Sequence, residues 1–225
     1  MNTDKETAIK RREETIKKLD ALAVDYCKGL PLIGNYKLYK SENQICKRFI
    51  ASLFFSMLAC DYMQDRHYYE TEGKEITEQA VDEFRLKNYL FPAEIKLLEE
   101  CDERTAINLS WTIECCYSLA WVLGLVSTEE MEAPCEPDGP HNLFQFIKPF
   151  HKFEDFKASC KLRQPSEILD MVDLYYNYHW ACVDHRINPI TNCGELNEEV
   201  VMERRKALEW IISKEKDWSD ISLDT

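Results

Sequence analysis

The most regular hydrophobic pattern of the chain lies near its C-terminal end. Apolar residues recur there at helical spacing in two segments, Ser166–Pro189 and Asn197–Ser213, which are joined by the glycine-containing turn TNCGEL. This pattern predicts a helical hairpin. The apolar face of the first helix also contains His179 and Arg186, two helical turns apart. Each needs a partner, because an unpaired buried polar group costs roughly 1–3 kcal/mol; Glu203 of the second helix is the nearest candidate acid.

The opposite side of the first helix has an acidic stripe, with Trp180 at its edge. The polar members of this side are Glu167, Asp170, Asp173, Asn177 and Asp184. Carboxylates spaced three apart on a helix can hold a hard cation such as Mg²⁺, so Asp170, Asp173 and Asp184 are candidate metal ligands. A solvated helix face explains the same residues. We favour the solvated face, because the sequence shows no Lys or Arg beside the stripe to hold a phosphate substrate.

Two further segments are apolar on nearly every side and are predicted to be central helices. The first follows Ser41, with Gln44 three residues after it as in a capping box, and the second runs from about residue 103 to Gly124. Arg48 in the first helix and Glu114 in the second are charged residues within these apolar segments. We favour a structural role for Glu114, such as an ion pair with Arg48. The alternative is that Glu114 is a general acid or base with a raised pKa.

The remaining pattern predicts shorter helices and irregular connections. Helices are expected over residues 3–24, 77–88, 92–100, 141–149 and 153–162, a polar turn over 64–74 and a surface loop over 127–140. Glycine is scarce, with 6 residues, and no alternating strand pattern stands out. The sequence therefore predicts an all-α protein: a single compact multi-helix domain over residues 1–225, with an acidic tail over 214–225.

Composition narrows the functions that fit this chain. The net charge of −13 argues against nucleic acid or an anionic membrane as the main partner, since both are bound by clustered Lys and Arg. The 10 cysteines include no C-x-x-C pair, the charged start does not resemble a signal peptide, and the apolar run Phe49–Cys60 is too short to span a bilayer. We therefore expect a cytoplasmic protein with no cofactor. Composition gives no oligomeric state.

Several segments resemble the family DUF4272. They are EILDMVDLYYNYHWACVDHRIN, LNEEVVMERRKALEWII, DWSDISLDT, WTIECCYSLAWVLGLV, ICKRFIASLFF and the opening RREETIKKLDALAVDYCKGLPLI. The resemblance covers most of the chain and implies a compact helical cytoplasmic domain, but no activity. Two positions depart from the family's motifs: Thr112 and Asn177 stand where the family often has arginine. If those arginines bind a ligand in relatives, that site is altered here.

Two functions stay open after this reading. The sequence has no phosphate-binding loop, dinucleotide fingerprint, hydrolase elbow or H-E-x-x-H motif, and therefore no complete catalytic constellation. The preferred hypothesis is a non-enzymatic binding protein for a basic protein partner, for example an immunity-type protein that binds a toxin. The alternative is a metal-dependent hydrolase that uses the acidic stripe, with Glu203 or Glu114 assisting.

Overall fold

The computed structural model describes residues 3–132, 136–137 and 139–225, and within these ranges it contains helices, turns and loops but no β-strand. The all-α prediction is confirmed. The helices are α1 (Thr3–Ala21), α2 (Glu42–Gln64), α3 (Arg66–Tyr68), α4 (Lys74–Glu83), α5 (Pro92–Glu99), α6 (Glu103–Ser110), α7 (Thr112–Val122), α8 (Thr128–Glu132), α9 (Pro140–Ile147), α10 (Phe153–Ser159), α11 (Pro165–Ile187) and α12 (Glu198–Ile212). No described helix is long and apolar enough to cross a membrane.

The helices group into two units. Described residues within 1–39, 127–137 and 163–225 form the terminal unit, and those within 40–126 and 138–162 form the central unit. The single domain over the whole chain stays a prediction.

The central unit is built around α2. This helix begins with the predicted capping box, in which the Ser41 hydroxyl accepts from the Gln44 backbone N–H and the Gln44 side chain accepts from the Ser41 backbone N–H. Helices α4, α6, α7 and α9 all pack against α2. Every residue of α7 is buried. The prediction of two central apolar helices is thus confirmed in this unit.

The second central helix is broken, whereas the sequence predicts one continuous helix. Trp111 separates α6 from α7. On either side of it, the Ser110 hydroxyl donates to the Ile107 carbonyl at 2.8 Å and the Thr112 hydroxyl donates to the Leu109 carbonyl at 2.6 Å. Such hydrogen bonds back to the preceding turn compete with the backbone ladder and bend helices. The break therefore follows from the hydroxyl residues rather than from proline or glycine.

The predicted stop at Gly124 is confirmed. Its φ of +74° is in the left-handed region. Its backbone N–H donates to the Trp121 carbonyl, and the N–H of Leu125 donates to the Ala120 carbonyl, both at 2.9 Å. This is the Schellman end of a helix. A Cβ at residue 124 would lie 2.6 Å from the carbonyl oxygen of Lys161. Glycine is required here by both the backbone conformation and the close approach of another segment.

Two predicted irregular segments contain helix instead. The polar tract over 64–74 continues through α3 and a π-helical turn, Tyr69–Gly73, into α4. Tyr69 is buried and packs edge-to-face on Tyr62, with ring centroids 4.9 Å apart. The predicted loop over 127–140 contains α8, where Met131 is fully buried. In each case one apolar side chain anchors an otherwise polar segment; residues 133–135 and 138 lie outside the described part.

The terminal unit contains the predicted hairpin. Helix α12 packs along α11, and the Asn197 side chain caps α12 by accepting from the backbone N–H groups of Glu199 and Val200. Helix α1 also packs on α11. The sequence predicts a helix to residue 24, but α1 ends at Ala21, and Leu22 just beyond its end is 43% exposed.

Candidate functional site

The acidic stripe of α11 is partly buried against α1, so the solvated-face prediction is wrong for its central member. Asp173 is fully buried. The Arg12 guanidinium donates to Asp173 from Nη2 at 2.8 Å and from Nε at 3.1–3.2 Å. The same guanidinium donates to the carbonyls of Leu30 and Pro31. Arg12 thus ties α11 to the irregular segment that follows α1.

The rest of the stripe does not form a metal site. Asp170 accepts from Arg11 Nε at 2.8 Å and is 58% exposed, and Asp184 lies further along α11. Among the described residues, no three Asp, Glu, His or Cys side chains are close enough to hold a metal ion. The arginines that the sequence did not reveal beside the stripe come from α1, and they neutralise two of its carboxylates. This arrangement gives no support to the hydrolase hypothesis.

Asn177, which departs from the family motif, lies one turn beyond Asp173. It is fully buried, and its Nδ2 donates to the Asp173 carbonyl at 2.7 Å. Its Oδ1 has no hydrogen-bond partner within the structure. Polar atoms of this kind are uncommon in protein interiors. The predicted departure from the family motif therefore lies at a buried position rather than at an exposed one.

His179 is buried, as predicted, but its partner is Arg205 of α12. The Arg205 Nη1 donates to His179 Nδ1 at 2.7 Å, so this nitrogen must be unprotonated. Burial, followed by the positive charges of Arg205 and Arg186, lowers the pKa of His179 to about 4. Arg205 also donates to the carbonyls of Leu223 and Asp224, which fixes the acidic tail on α12.

The hairpin contains three other candidate residues, and the predicted burial of one of them, Arg186, is wrong. Arg186 is predicted in the apolar interior, but its side chain is 63% exposed and donates to Glu198 at 3.1 Å. It lies in the last turn of α11, where a long side chain can reach water. Glu203 accepts from Lys206 of its own helix. Trp180 is half-buried.

The central unit has its own buried charges. Arg48, 2% exposed, donates to Glu94 of α5, to the Ser52 hydroxyl at 2.9 Å and to the Tyr89 carbonyl at 2.8 Å. Glu94 is not among the candidate residues predicted from the sequence. Its position three residues after Phe91, at the start of a proline-initiated helix, indicates a capping role, and Glu94 does accept from the Phe91 N–H at 2.8 Å.

Glu114 is fully buried near this cluster. Burial raises the pKa of the neighbouring Cys116 thiol, the positive charge of Arg48 lowers it, and the carboxylates of Glu94 and Glu114 raise it. These groups therefore interact electrostatically within the apolar core. A pair between Arg48 and Glu114 stays a prediction, as does a catalytic role for Glu114.

A groove of about 310 Å³ opens on the central unit between α4 and α9. Its lining is mainly apolar and includes Phe54, Phe84, Phe144, Phe150 and Ile76. Ile76 is 44% exposed, so this aliphatic side chain is accessible to solvent at the groove. The groove is therefore an apolar surface that other parts of the central unit leave accessible.

The two walls of this groove differ in charge. Glu83 lies on the α4 wall, whereas Lys148 and His151 lie on the α9 side. Glu75, Glu78 and Asp82 follow the outer face of α4 at helical spacing, about a third of a turn from the groove. All three are exposed, and none makes an ion pair within the described part of the chain. We call these three residues the α4 acidic face.

Sequence comparison identifies the family. The model of DUF4272, described as a domain of unknown function, matches residues 11–221 of the 225-residue chain. The chain belongs to DUF4272. No curated protein and no solved structure matches it. The DUF4272 match begins at Arg11 and includes Arg12 and Asp173, and both groove-lining helices, α4 and α9, fall within it.

Proposed function

We propose that this protein is a non-enzymatic cytoplasmic binding module, and that it binds a basic segment of a partner protein at the α4–α9 groove. The observation that carries the proposal is the combination of an accessible apolar groove with unpaired carboxylates along one of its two helices. An immunity-type protein that neutralises a basic toxin is one concrete form of this function.

The fit of the groove argues for an amphipathic helix as the bound segment. Apolar side chains at i, i+3, i+4 and i+7 of a helix would contact Ile76 and the phenylalanines. Lys or Arg on the flank of that helix would lie over Glu83 and the α4 acidic face. A net charge of −13 would also speed the approach of a cationic partner at low salt.

The charge difference between the walls sets the orientation of such a helix. The basic flank belongs beside α4, because Lys148 on the α9 side would repel it. The opposite flank is expected to be neutral or acidic. This polarity separates a groove-bound segment from general attraction of cations to an acidic protein.

The proposal can be tested with two designed helical peptides. Both have the same leucine stripe, but one has lysine on its polar face and the other glutamate. We expect the lysine peptide to bind the full-length protein more tightly in fluorescence anisotropy titrations. Its affinity should fall as salt rises from about 50 to about 300 mM, since the contacts are exposed. Equal binding of the two peptides would contradict the proposal.

A matched pair of charge-reversed variants locates the site. The triple variant Glu75→Lys, Glu78→Lys, Asp82→Lys should weaken binding of the lysine peptide about tenfold. The control variant Glu13→Lys, Asp20→Lys, Glu195→Lys makes the same change in net charge at exposed positions of the terminal unit. If both variants weaken peptide binding equally, net charge alone explains the loss of affinity, and binding at the groove is contradicted.

A further inference from the structure

Two thiols of the central unit lie side by side. Cys46, in the first turns of α2, is fully buried, and Cys160, the residue that ends α10, is half-buried. The Cys160 thiol donates to the Phe156 carbonyl at 3.4 Å, and the side chains of Cys46 and Cys160 interact electrostatically. They are far apart in sequence, so their proximity is a product of the fold rather than of a local motif.

The packing of α10 on α2 holds this pair together. The rings of Phe49 and Phe156 are stacked, with centroids 5.7 Å apart and an angle of 8° between the planes. Phe49 is three residues after Cys46 and Phe156 is four residues before Cys160, so each ring lies one turn from a thiol on the same helix face. The Lys157 ammonium also lies 3.7 Å from Glu42.

The two thiols differ in acidity and access. The interaction with Cys46 lowers the pKa of Cys160, whereas the interaction with Cys160, together with burial, raises the pKa of Cys46. The thiolate is the reactive form of cysteine, and an exposed low-pKa thiol beside a second thiol is typical of peroxide-sensitive sites. Cys160 therefore has the properties of the attacking thiol, and Cys46 those of the resolving thiol.

We propose that Cys46 and Cys160 form a reversible disulfide in response to hydrogen peroxide. The Cys160 thiolate attacks one peroxide oxygen, the O–O bond breaks, and hydroxide leaves, which gives the sulfenic acid at Cys160. The Cys46 sulfur then attacks the Cys160 sulfur and displaces hydroxide. The two protons of the original thiols convert both hydroxides to water. Two thiols and one peroxide thus give one disulfide and two waters, and a dithiol reductant reverses the oxidation.

The terminal unit provides an internal comparison. Cys182 also interacts with a second thiol, that of Cys193, but burial raises the pKa of Cys182 to about 12, with a smaller contribution from Cys193. In the central unit, the half-buried Cys60 has a raised pKa through burial and the charge of Asp61. We expect Cys182 and Cys60 to keep their thiols under conditions that oxidise Cys160.

The test is peptide mapping of the reduced full-length protein after graded hydrogen peroxide, with free thiols alkylated before digestion. The proposal predicts that alkylation of Cys46 and of Cys160 decreases together as peroxide increases. A peptide linked through these two residues should appear before other cysteines react. Dithiothreitol should restore both labels. Oxidation of Cys182 or Cys60 ahead of Cys160, or a label that persists on Cys160, would overturn it.

Two variants distinguish the roles of the thiols. In Cys46→Ser the disulfide cannot form, so the sulfenic acid at Cys160 should accumulate and be trapped by dimedone. In Cys160→Ser neither product should form, while the control Cys60→Ser should behave as the unaltered protein. Absence of a dimedone adduct at Cys160 in folded Cys46→Ser would refute the assigned order of attack. These readouts do not involve peptide binding, so the groove proposal and the thiol proposal fail independently.

Discussion

Helices pack by different chemistry in the two units. In the terminal unit, the buried side of α1 includes Arg11, Arg12 and Thr15, and the two arginines meet carboxylates of α11. In the central unit, α2 packs through Ile, Leu and Phe side chains, with Arg48 and Lys47 as its buried cations. A helix with arginines on its inner side can therefore still pack closely, provided that the facing helix supplies acids.

The consequences of mutation should differ accordingly. A buried ion pair adds little net stability, because removing two charges from water costs about as much as their attraction returns. Removing one partner leaves the other charge buried alone. An apolar contact lacks this asymmetry, since removing either side chain costs its transfer free energy and leaves a cavity but no unpaired charge. In the terminal unit, replacing both partners of a buried ion pair with apolar residues should thus cost less stability than replacing one partner.

The largest expected effect is the loss of Arg12. Asp173 is fully buried, so Arg12→Ala should lower the free energy of unfolding by about 3–5 kcal/mol. Urea denaturation followed by circular dichroism measures this change. The double variant Arg12→Met, Asp173→Leu removes both charges, and we expect it to recover most of the loss. A double variant as unstable as the single one would show that packing, not the charge left behind, sets the cost.

A smaller effect is expected from the protonation of His179. Its pKa in the folded protein is about 4, below the 6.5 of an unperturbed histidine, so the unfolded state binds the proton first as the pH falls. Stability from this group is therefore complete above pH 6.5 and is lost between pH 6.5 and 4, by at most about 3 kcal/mol.

Denaturation at several pH values checks this dependence. In His179→Gln the amide oxygen can still accept from Arg205 but does not titrate, so stability should fall less steeply over this range. The matched variant His67→Gln changes an exposed histidine of the central unit and should keep the slope of the unaltered protein. If the free energy of unfolding changes with pH by the same slope in all three proteins, His179 does not contribute to the pH dependence.

Features with a local cause were predictable from the sequence. The capping box at Ser41, the stop at Gly124 and the hairpin each depend on residues close together along the chain. The break at Trp111 was missed, although Ser110 and Thr112 were visible, because apolar periodicity does not register the hydrogen bonds of hydroxyl side chains.

The charged contacts were not predictable by the same means. The helical projection of α11 places Asp173 on the polar side, and a carboxylate on that side is expected to face water. Its actual partner, Arg12, is 161 residues away in the sequence, so periodicity within α11 does not indicate the contact. The sequence did hold one signal: Arg11 and Arg12 lie on the side of α1 that also contains Ala8 and Leu19. Two helices with opposite charges on their inner sides would have indicated the contact. The groove requires three-dimensional placement of α4 and α9, which periodicity does not give.

The central functional claim is that the groove recognises a basic segment in one orientation, and the variant Lys148→Glu tests it most directly. Lys148 lies on the wall opposite α4, so its reversal should change the affinity for a helix that has lysines on the flank beside Lys148, but not for a helix whose lysines lie only beside α4. For a peptide with lysines on both flanks we expect binding about threefold tighter, and for the one-flank peptide little change. An equal gain for both peptides in anisotropy titrations would contradict oriented binding and leave only non-specific attraction to an acidic protein.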